Sequence, residues 1–219
     1  MSLKINDIAP DFVADTTEGQ LHFHDWIGDG YAVLFSHPKD FTPVCTTELG
    51  AVARLHSDFA IRNTKVIGLS VDPVEDHQKW KADITQATGS TVNYPLIGDA
   101  DLTIAKLYGM LPADLDDVAQ GRNASDNATV RTVFIIGPDK QIKLNLTYPM
   151  TTGRSFDEIL RVLDSIQLTA SAPVATPEGW QKGDDVVVSP SLSTEAAQKR
   201  FNEVQEILPY LRLTPQSQV

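Results

Sequence analysis

Two short, largely apolar runs constrain the fold more than anything else in the chain: Tyr31 to Ser36 (YAVLFS) and Lys65 to Val71 (KVIGLSV). Continuous apolar runs of this length read as short, largely buried strands. The stretch between them, from Pro43 to about Phe59, carries a helical pattern, so the three elements form a β-α-β unit. Asp72-Pro73-Val74-Glu75 then opens another helix, with Asp as N-cap, Pro at the first helical position and Glu three residues past the cap. Its apolar face is expected to use Trp80, Ile84 and Ala87, with His77 alongside.

Further on, Thr132–Ile136 and Gln141–Tyr148 flank Gly137-Pro138-Asp139-Lys140, which is turn chemistry and predicts a hairpin. Ser155-Phe156-Asp157-Glu158 is a second capping box. It opens a helix whose stripe is Phe156, Ile159, Leu160, Leu163 and Ile166. A β-α-β unit, a hairpin and a closing helix imply an α/β fold with a mixed sheet. After Leu168 the texture changes. Thr169–Glu178, rich in Ala, Thr and Pro, reads as a linker, followed by a strand at Val186–Val188. A helix is expected near Thr194–Leu208, with Ala197, Phe201, Val204 and Leu208 at helical spacing and Pro209 as its stop. Residues 169–219 are too few for a comfortable core of their own, so they are expected to pack on the domain of residues 1–168 or on a partner subunit.

Composition narrows the function classes. A length of 219 residues suits one sizeable domain with a small appendage, and 42% apolar with 21% charged residues excludes wholesale disorder. No apolar run is long enough to span a bilayer, so membrane insertion is not expected. Asp and Glu outnumber Lys and Arg by 29 to 18, and the net charge of −11 repels phosphate backbones, so nucleic-acid binding is not expected either. Met1–Asp7 lacks the apolar core of a signal peptide, which makes a cytoplasmic location the default. The single cysteine, Cys45, agrees with that default and excludes an internal disulfide. The Asn-x-Ser/Thr triplets at Asn123, Asn127 and Asn145 read as chance.

Cys45 is also the chemical focus. It lies in Ser36-His37-Pro38-Lys39-Asp40-Phe41-Thr42-Pro43-Val44-Cys45-Thr46-Thr47-Glu48, which leaves a buried strand and enters a helix. With Pro43 at the first helical position, Cys45 falls in the first turn, where unpaired backbone N–H groups and the helix dipole favour an anion. A thiol there is favoured as thiolate, the nucleophilic form. The residues alone leave two readings open, a reactive thiol and a small buried hydrophobe.

Pro38-x-x-x-Thr42-x-x-Cys45 resembles the active-site signature of the peroxiredoxins, and the fuller string resembles their 1-Cys branch, the peroxiredoxin 6 group of the AhpC/TSA family. Similar matches are Asp72-Pro73 with His77 and Trp80, Arg131, Tyr148-Pro149 with Thr151-Thr152-Gly153-Arg154, Val174-Ala175-Thr176-Pro177, and Leu211-Arg212-Leu213-Thr214-Pro215. The resemblance implies a thioredoxin-like fold with a mixed central sheet plus a small C-terminal α+β domain. It implies a peroxidase that reduces hydrogen peroxide and small organic hydroperoxides without a cofactor or metal.

In that reading Cys45 is the peroxidatic nucleophile and becomes a sulfenic acid. Thr42 hydrogen-bonds the thiolate and the incoming peroxide, Pro38 shields the sulfur from water, and Arg131 stabilises the developing charge. Glu48, one turn from Cys45, disfavours a thiolate unless arginine neutralises it, and Arg131 and Arg154 are the expected partners. His37 is close to the thiol in the family. It either tunes the thiol or bonds the oxidised sulfur, against the plainer reading of a histidine bonded to backbone in a tight loop. With no second cysteine, the sulfenic acid must be reduced by an external thiol, such as glutathione or a thioredoxin-like protein. A homodimer or larger ring is implied.

The chain departs from the pattern at one place. Some members carry a lipase-like Gly-x-Ser-x-Gly, and the matching stretch here is Gly28-Asp29-Gly30-Tyr31-Ala32. His24 and Asp139 stand at the matching partner positions, but without a hydroxyl at 30 an acyl hydrolase is not expected. A redox sensor or oligomeric holdase would use the same Cys45. His22-Phe23-His24 is expected to be extended, with both imidazoles on one face and no metal site. Ala113–Asn127 reads as an acidic surface loop.

Overall fold

The computed structural model describes residues 3–113 and 128–219 of the chain. The acidic stretch Ala113–Asn127 therefore lies, apart from Ala113, outside the described residues. The first unit, residues 1–156, runs β1 (Val13–Thr16), β2 (Gly19–His22), α1 (Phe23–Ile27), β3 (Tyr31–Ser36), α2 (Pro43–Arg54), α3 (His56–Ala60), β4 (Thr64–Ser70), α4 (Val74–Thr88), β5 (Leu96–Gly98), α5 (Thr103–Leu107), β6 (Arg131–Ile136) and β7 (Ile142–Tyr148). The second, residues 157–219, takes α6 (Phe156–Ser171) after its first residue, then β8 (Val174–Ala175), β9 (Val186–Val188), α7 (Thr194–Arg200), β10 (Gln205–Leu208) and β11 (Leu211–Thr214).

The two apolar runs are neighbours in a seven-stranded mixed sheet of order β2-β1-β5-β4-β3-β6-β7. β3 pairs parallel with β4, and Val33 sits opposite Val66; on its other side β3 pairs antiparallel with β6, and Leu34 sits opposite Phe134. Leu34, Ile67, Leu69, Phe134 and Ile136 line one face against Phe23 and Ile27 of α1 and Ile104 and Ala105 of α5. The alternate residues Val33, Phe35, Val66, Val133 and Ile135 are equally buried, so the central strands are covered on both sides, as their unbroken apolar sequence requires. α2 and α4 approach closely at Gly50, where a methyl group would lie 2.5 Å from Thr88 Cγ2.

Three local expectations are corrected in this unit. Asp72 does not cap α4: the helix starts at Val74 after an extended Pro73, and the Asp72 carboxylate accepts instead from the Asp40 amide (2.8 Å) and the Ser70 hydroxyl (3.0 Å). One tertiary donor, the Asp40 amide, and one local donor, the Ser70 hydroxyl, take the carboxylate in place of the helix end. Ala87 is exposed, and the buried face of α4 consists of His77, Trp80 and Ile84. Finally, β2 stops at His22, and the buried Phe23, stacked on Phe12 at 4.4 Å, opens α1. His22 and His24 therefore do not share a strand face; His24 Nε2 meets the Ala9 carbonyl at 2.8 Å. The hairpin forms as expected, with Asp139 Oδ1 accepting from the Gln141 amide.

The second unit holds an antiparallel sheet of order β10-β11-β9-β8 around Trp180, Val186, Val188, Ala197 and Phe201. Here the expected linker is corrected: α6 continues to Ser171, and Val174–Ala175 is a sheet strand. The expected helix to Leu208 ends at Arg200, because Phe201 turns extended (φ −116°) and β10 pairs with β11 across a Pro209-Tyr210 turn. No helix among the described residues is long and apolar enough to cross a membrane.

Candidate active site

The site begins where β3 ends. The Ser36 hydroxyl donates to the Val130 carbonyl (2.6 Å) and accepts from the Thr132 amide (3.1 Å), tying the strand end to β6. His37, Pro38 and Asp40 are buried, and Phe41 turns the chain with a left-handed φ of 54°. Thr42 is then the extended residue that precedes α2, and Pro43 is its first helical residue, as the sequence predicts. The Thr42 hydroxyl donates to the Lys39 carbonyl at 2.8 Å, so its single proton is committed and its lone pairs are left to accept.

Cys45 lies in the first turn of α2 and is fully buried. Arg131, at the start of β6, donates from Nη1 to Cys45 Sγ at 3.4 Å and to Glu48 Oε2 at 2.6 Å, and from Nε to the Met150 carbonyl at 2.7 Å. Glu48 is one turn along α2. Arg154 donates to its Oε1 from the backbone amide (2.7 Å) and Nε (2.9 Å), and to its Oε2 from Nη2 (2.7 Å). The Arg154 guanidinium also donates to the Thr132 carbonyl and lies over the rings of Phe35 and Phe156, with Cζ 5.3 and 5.4 Å from their centroids. Burial alone would raise the Glu48 carboxyl, but the bonds and charge of Arg154, with Arg131 behind them, hold it below its ordinary range. Two guanidiniums against one carboxylate leave one positive charge in excess beside the sulfur.

His37 does not bond to backbone through its ring. Its Nε2 meets Asp40 Oδ1 at 2.8 Å, and Asp40 Oδ2 meets Nδ1 of His77, from α4, at 2.5 Å. The ligand-type atoms of these three buried side chains lie within 4.8 Å of one another, yet a cation could enter only by replacing the hydrogen bonds that join them. Asp40 and His77 are the members of this neighbourhood to which sequence reasoning gave no role; His77 was named only alongside the apolar face of its helix and among the family matches, and Asp40 only as part of the loop.

The structure thus links Cys45, Arg131, Glu48 and Arg154 in one chain of hydrogen bonds, with Pro38 and Thr42 on the loop that leads into α2. His37 joins a separate buried cluster. At the lipase-like stretch, a Cβ on Gly30 would lie 2.5 Å from the Asn63 carbonyl oxygen, so a serine does not fit without moving backbone. Asp139 is engaged by Lys143 Nζ (2.6 Å) and by the Gln141 amide.

A buried cysteine at a helix start, contacted by an arginine that a glutamate steadies, is an arrangement suited to a nucleophilic thiol. Comparisons with known proteins agree. Residues 5–145 match the AhpC/TSA family, and residues 165–203 match the C-terminal domain of 1-Cys peroxiredoxin. The chain is 51% identical over 225 residues to peroxiredoxin-6 of Rattus norvegicus, covering 98% of each protein. It superposes on the C45S mutant of peroxiredoxin 6 of Arenicola marina with a TM-score of 0.89 at 46% identity, covering 98% of this chain and 99% of that one. A yeast mitochondrial 1-Cys peroxiredoxin, described with a thiol resolving mechanism via glutathione/thioredoxin systems, gives the same TM-score at 48% identity over 97% and 99% of the two chains. The chain belongs to the 1-Cys peroxiredoxins of the AhpC/TSA family, whose fold is thioredoxin-like, and it is a thiol-dependent peroxidase.

Proposed function

We propose that Cys45 reduces hydrogen peroxide and small organic hydroperoxides, and that the surrounding residues divide the work as follows. Cys45 Sγ attacks one peroxide oxygen in line and a new S–O bond forms as the O–O bond breaks. The sulfur is oxidised by two electrons to a sulfenic acid, and the departing alkoxide or hydroxide takes a proton and leaves as alcohol or water. Arg131 supplies the positive charge that meets this transfer. Glu48 and Arg154 hold Arg131 on the sulfur, Thr42 offers hydroxyl lone pairs to the incoming peroxide O–H, and Pro38 keeps bulk water away. The observation that carries the reading is the 3.4 Å contact from Arg131 Nη1 to Cys45 Sγ, made by a guanidinium also bonded to Glu48.

An external thiol then attacks the sulfenic acid and releases water, and a second thiol cleaves the resulting mixed disulfide to restore Cys45. Support for glutathione or a thioredoxin-like protein as reductant comes from the lone cysteine and from the mechanism described for the yeast relative. Steady-state peroxide consumption with each reductant tests this. Continuous turnover is expected with at least one of them; oxidation that stops after one equivalent with both would mean a sensor rather than a peroxidase.

Dimerisation is part of the same proposal. β7 is an edge strand carrying Leu144, Leu146 and Tyr148; Asn6 and Asp7 take the backbone groups of Ile142 on its outer side, and the stretch beyond Ile142 is suited to pairing with a second copy. Light scattering tests it: a twofold mass is expected, and a monomer at micromolar concentration would refute it. The lone cysteine supports a cytoplasmic setting, which imaging of a tagged chain tests.

A further inference from the structure

We infer that Asp40 and His77 are positioning residues: together they hold the His37 ring as its neutral Nε2–H tautomer, and that proton state seats the loop from His37 to Thr42 that leads into Cys45. The hydrogen bonds assign the protons. His77 faces an acceptor at each ring nitrogen, Asp40 Oδ2 at Nδ1 (2.5 Å) and the Ile97 carbonyl at Nε2 (3.0 Å), so both nitrogens carry hydrogen and the ring is an imidazolium. Asp40, a carboxylate, takes its second bond from His37 Nε2 (2.8 Å). That leaves Nδ1 of His37, which is buried with no hydrogen-bond partner among the described residues. As a bare lone pair it is tolerable there. As an N–H⁺ it would be a buried donor without an acceptor, the costlier of the two states.

The charges agree with this assignment. Burial pushes His37 below its ordinary value, and its bonds to Asp40 do not compensate. Burial acts the same way on His77, but the hydrogen bond and charge of Asp40 outweigh it and raise His77 above its ordinary value. Burial would raise Asp40, yet its two imidazole partners hold it low. The titratable groups facing His37 are Asp40 on its own loop, His77 on α4 and Asp72 at the end of β4; β6 and the segment before it contribute the uncharged Thr129 hydroxyl, which bonds the His37 carbonyl.

The same atoms seat the loop. The Asp40 amide donates to Asp72 (2.8 Å) and the His37 amide to the Leu69 carbonyl (2.9 Å), while Phe41 is held in a left-handed conformation that a non-glycine residue adopts only under restraint. Protonating Nδ1 removes the reason for burying His37, so the loop loosens as pH falls below about 6.5, the ordinary histidine value. Because Cys45 is fully buried with the loop seated, reach of a thiol to its sulfur would follow this opening; that consequence rests on the peroxidase reading, whereas the proton assignment does not.

The test uses the reduced full-length chain labelled with ¹⁵N-histidine, with ring ¹⁵N–¹H correlations followed between about pH 5 and 8. In the wild type at neutral pH, His37 should show a proton on Nε2 alone and His77 on both nitrogens. His77→Gln keeps a donor for Asp40 but removes the cation, so the His37 midpoint should rise by about one pH unit, a tenfold gain in proton affinity. A residue that merely packs would not move that midpoint. A His37 proton on Nδ1 at neutral pH, or an unmoved midpoint in His77→Gln, overturns the assignment. Should the variant not fold, the wild-type tautomers still decide that part. Exchange of the Asp40 amide, corrected for intrinsic rate, decides the seating: protection should drop about tenfold between pH 7 and pH 5.5, and a flat profile refutes it. Failure of peroxide turnover with the tautomers as assigned would count against the peroxidase reading alone.

Discussion

Replacing Glu48 by glutamine exchanges one heavy atom and should cost as much stability as a large truncation in the core. The Glu48 carboxylate accepts four hydrogen bonds, two at each oxygen, all from Arg131 and Arg154. A glutamine amide has only one oxygen. Whichever way it turns, its NH₂ group faces two N–H donors, so two of the four bonds are lost and two buried guanidiniums share no anion. Breaking a buried ion pair costs about 3–5 kcal/mol, and a charged hydrogen bond about 1.5–3 kcal/mol, so about 4 kcal/mol is expected here. For a chain of this size that lowers the melting midpoint by roughly 8–16 °C.

Urea and thermal unfolding at neutral pH, followed by circular dichroism, measure the effect. The pH dependence gives a second handle. The folded Glu48 carboxyl sits below its ordinary value of 4.5, so its stabilisation is complete above that value and is lost as pH falls through the lower folded one. The gap between wild type and Glu48→Gln should therefore narrow in acid. A gap under about 1 kcal/mol at neutral pH, or one that stays constant down to about pH 3, would refute the view that this carboxylate works as the counter-ion of two arginines.

Other expectations follow from the same contacts. Arg131→Lys loses the bond from Nε to the Met150 carbonyl and the fork that reaches Glu48 and Cys45 together, and should lower kcat/KM for hydrogen peroxide about 10²–10³-fold in stopped-flow assays while Arg154 still holds Glu48. Gly30→Ser should generate no ester hydrolysis and should cost about 1–3 kcal/mol in unfolding experiments, because its Cβ meets the Asn63 carbonyl at 2.5 Å; hydrolysis of an acyl ester by this variant would contradict that reading.

What the sequence revealed and what it hid divide along physical lines. β3 and β4 were legible because strands buried on both faces carry no polar alternation, and α2 was legible because Pro43 marks a helix start. β10 was not: Ala197, Phe201, Val204 and Leu208 fit a helical period, but the chain leaves the helix after Arg200 for a backbone partner, β11, that periodicity cannot see. The Asp72 cap failed partly for a similar reason: one donor that takes its carboxylate, the Asp40 amide, is 32 residues away in the chain, while the other, the Ser70 hydroxyl, is local. The site was legible as a motif only around Cys45. Arg131 and Arg154 stand 83 and 106 residues from Glu48, and they meet it because β6 lies beside β3 and the chain returns after β7; only family resemblance pointed to them. The pairing of Asp40 with His77, 37 residues away, left no mark in spacing or composition.

The central claim is that Cys45 reacts with peroxide as a nucleophile. Intact mass after brief exposure to stoichiometric hydrogen peroxide, with and without a sulfenic-acid trap and beside a Cys45→Ser control, tests it most directly. The account predicts one added oxygen within seconds, captured by the trap and absent from the control. An unchanged mass after minutes would make Cys45 an ordinary buried thiol and contradict the account.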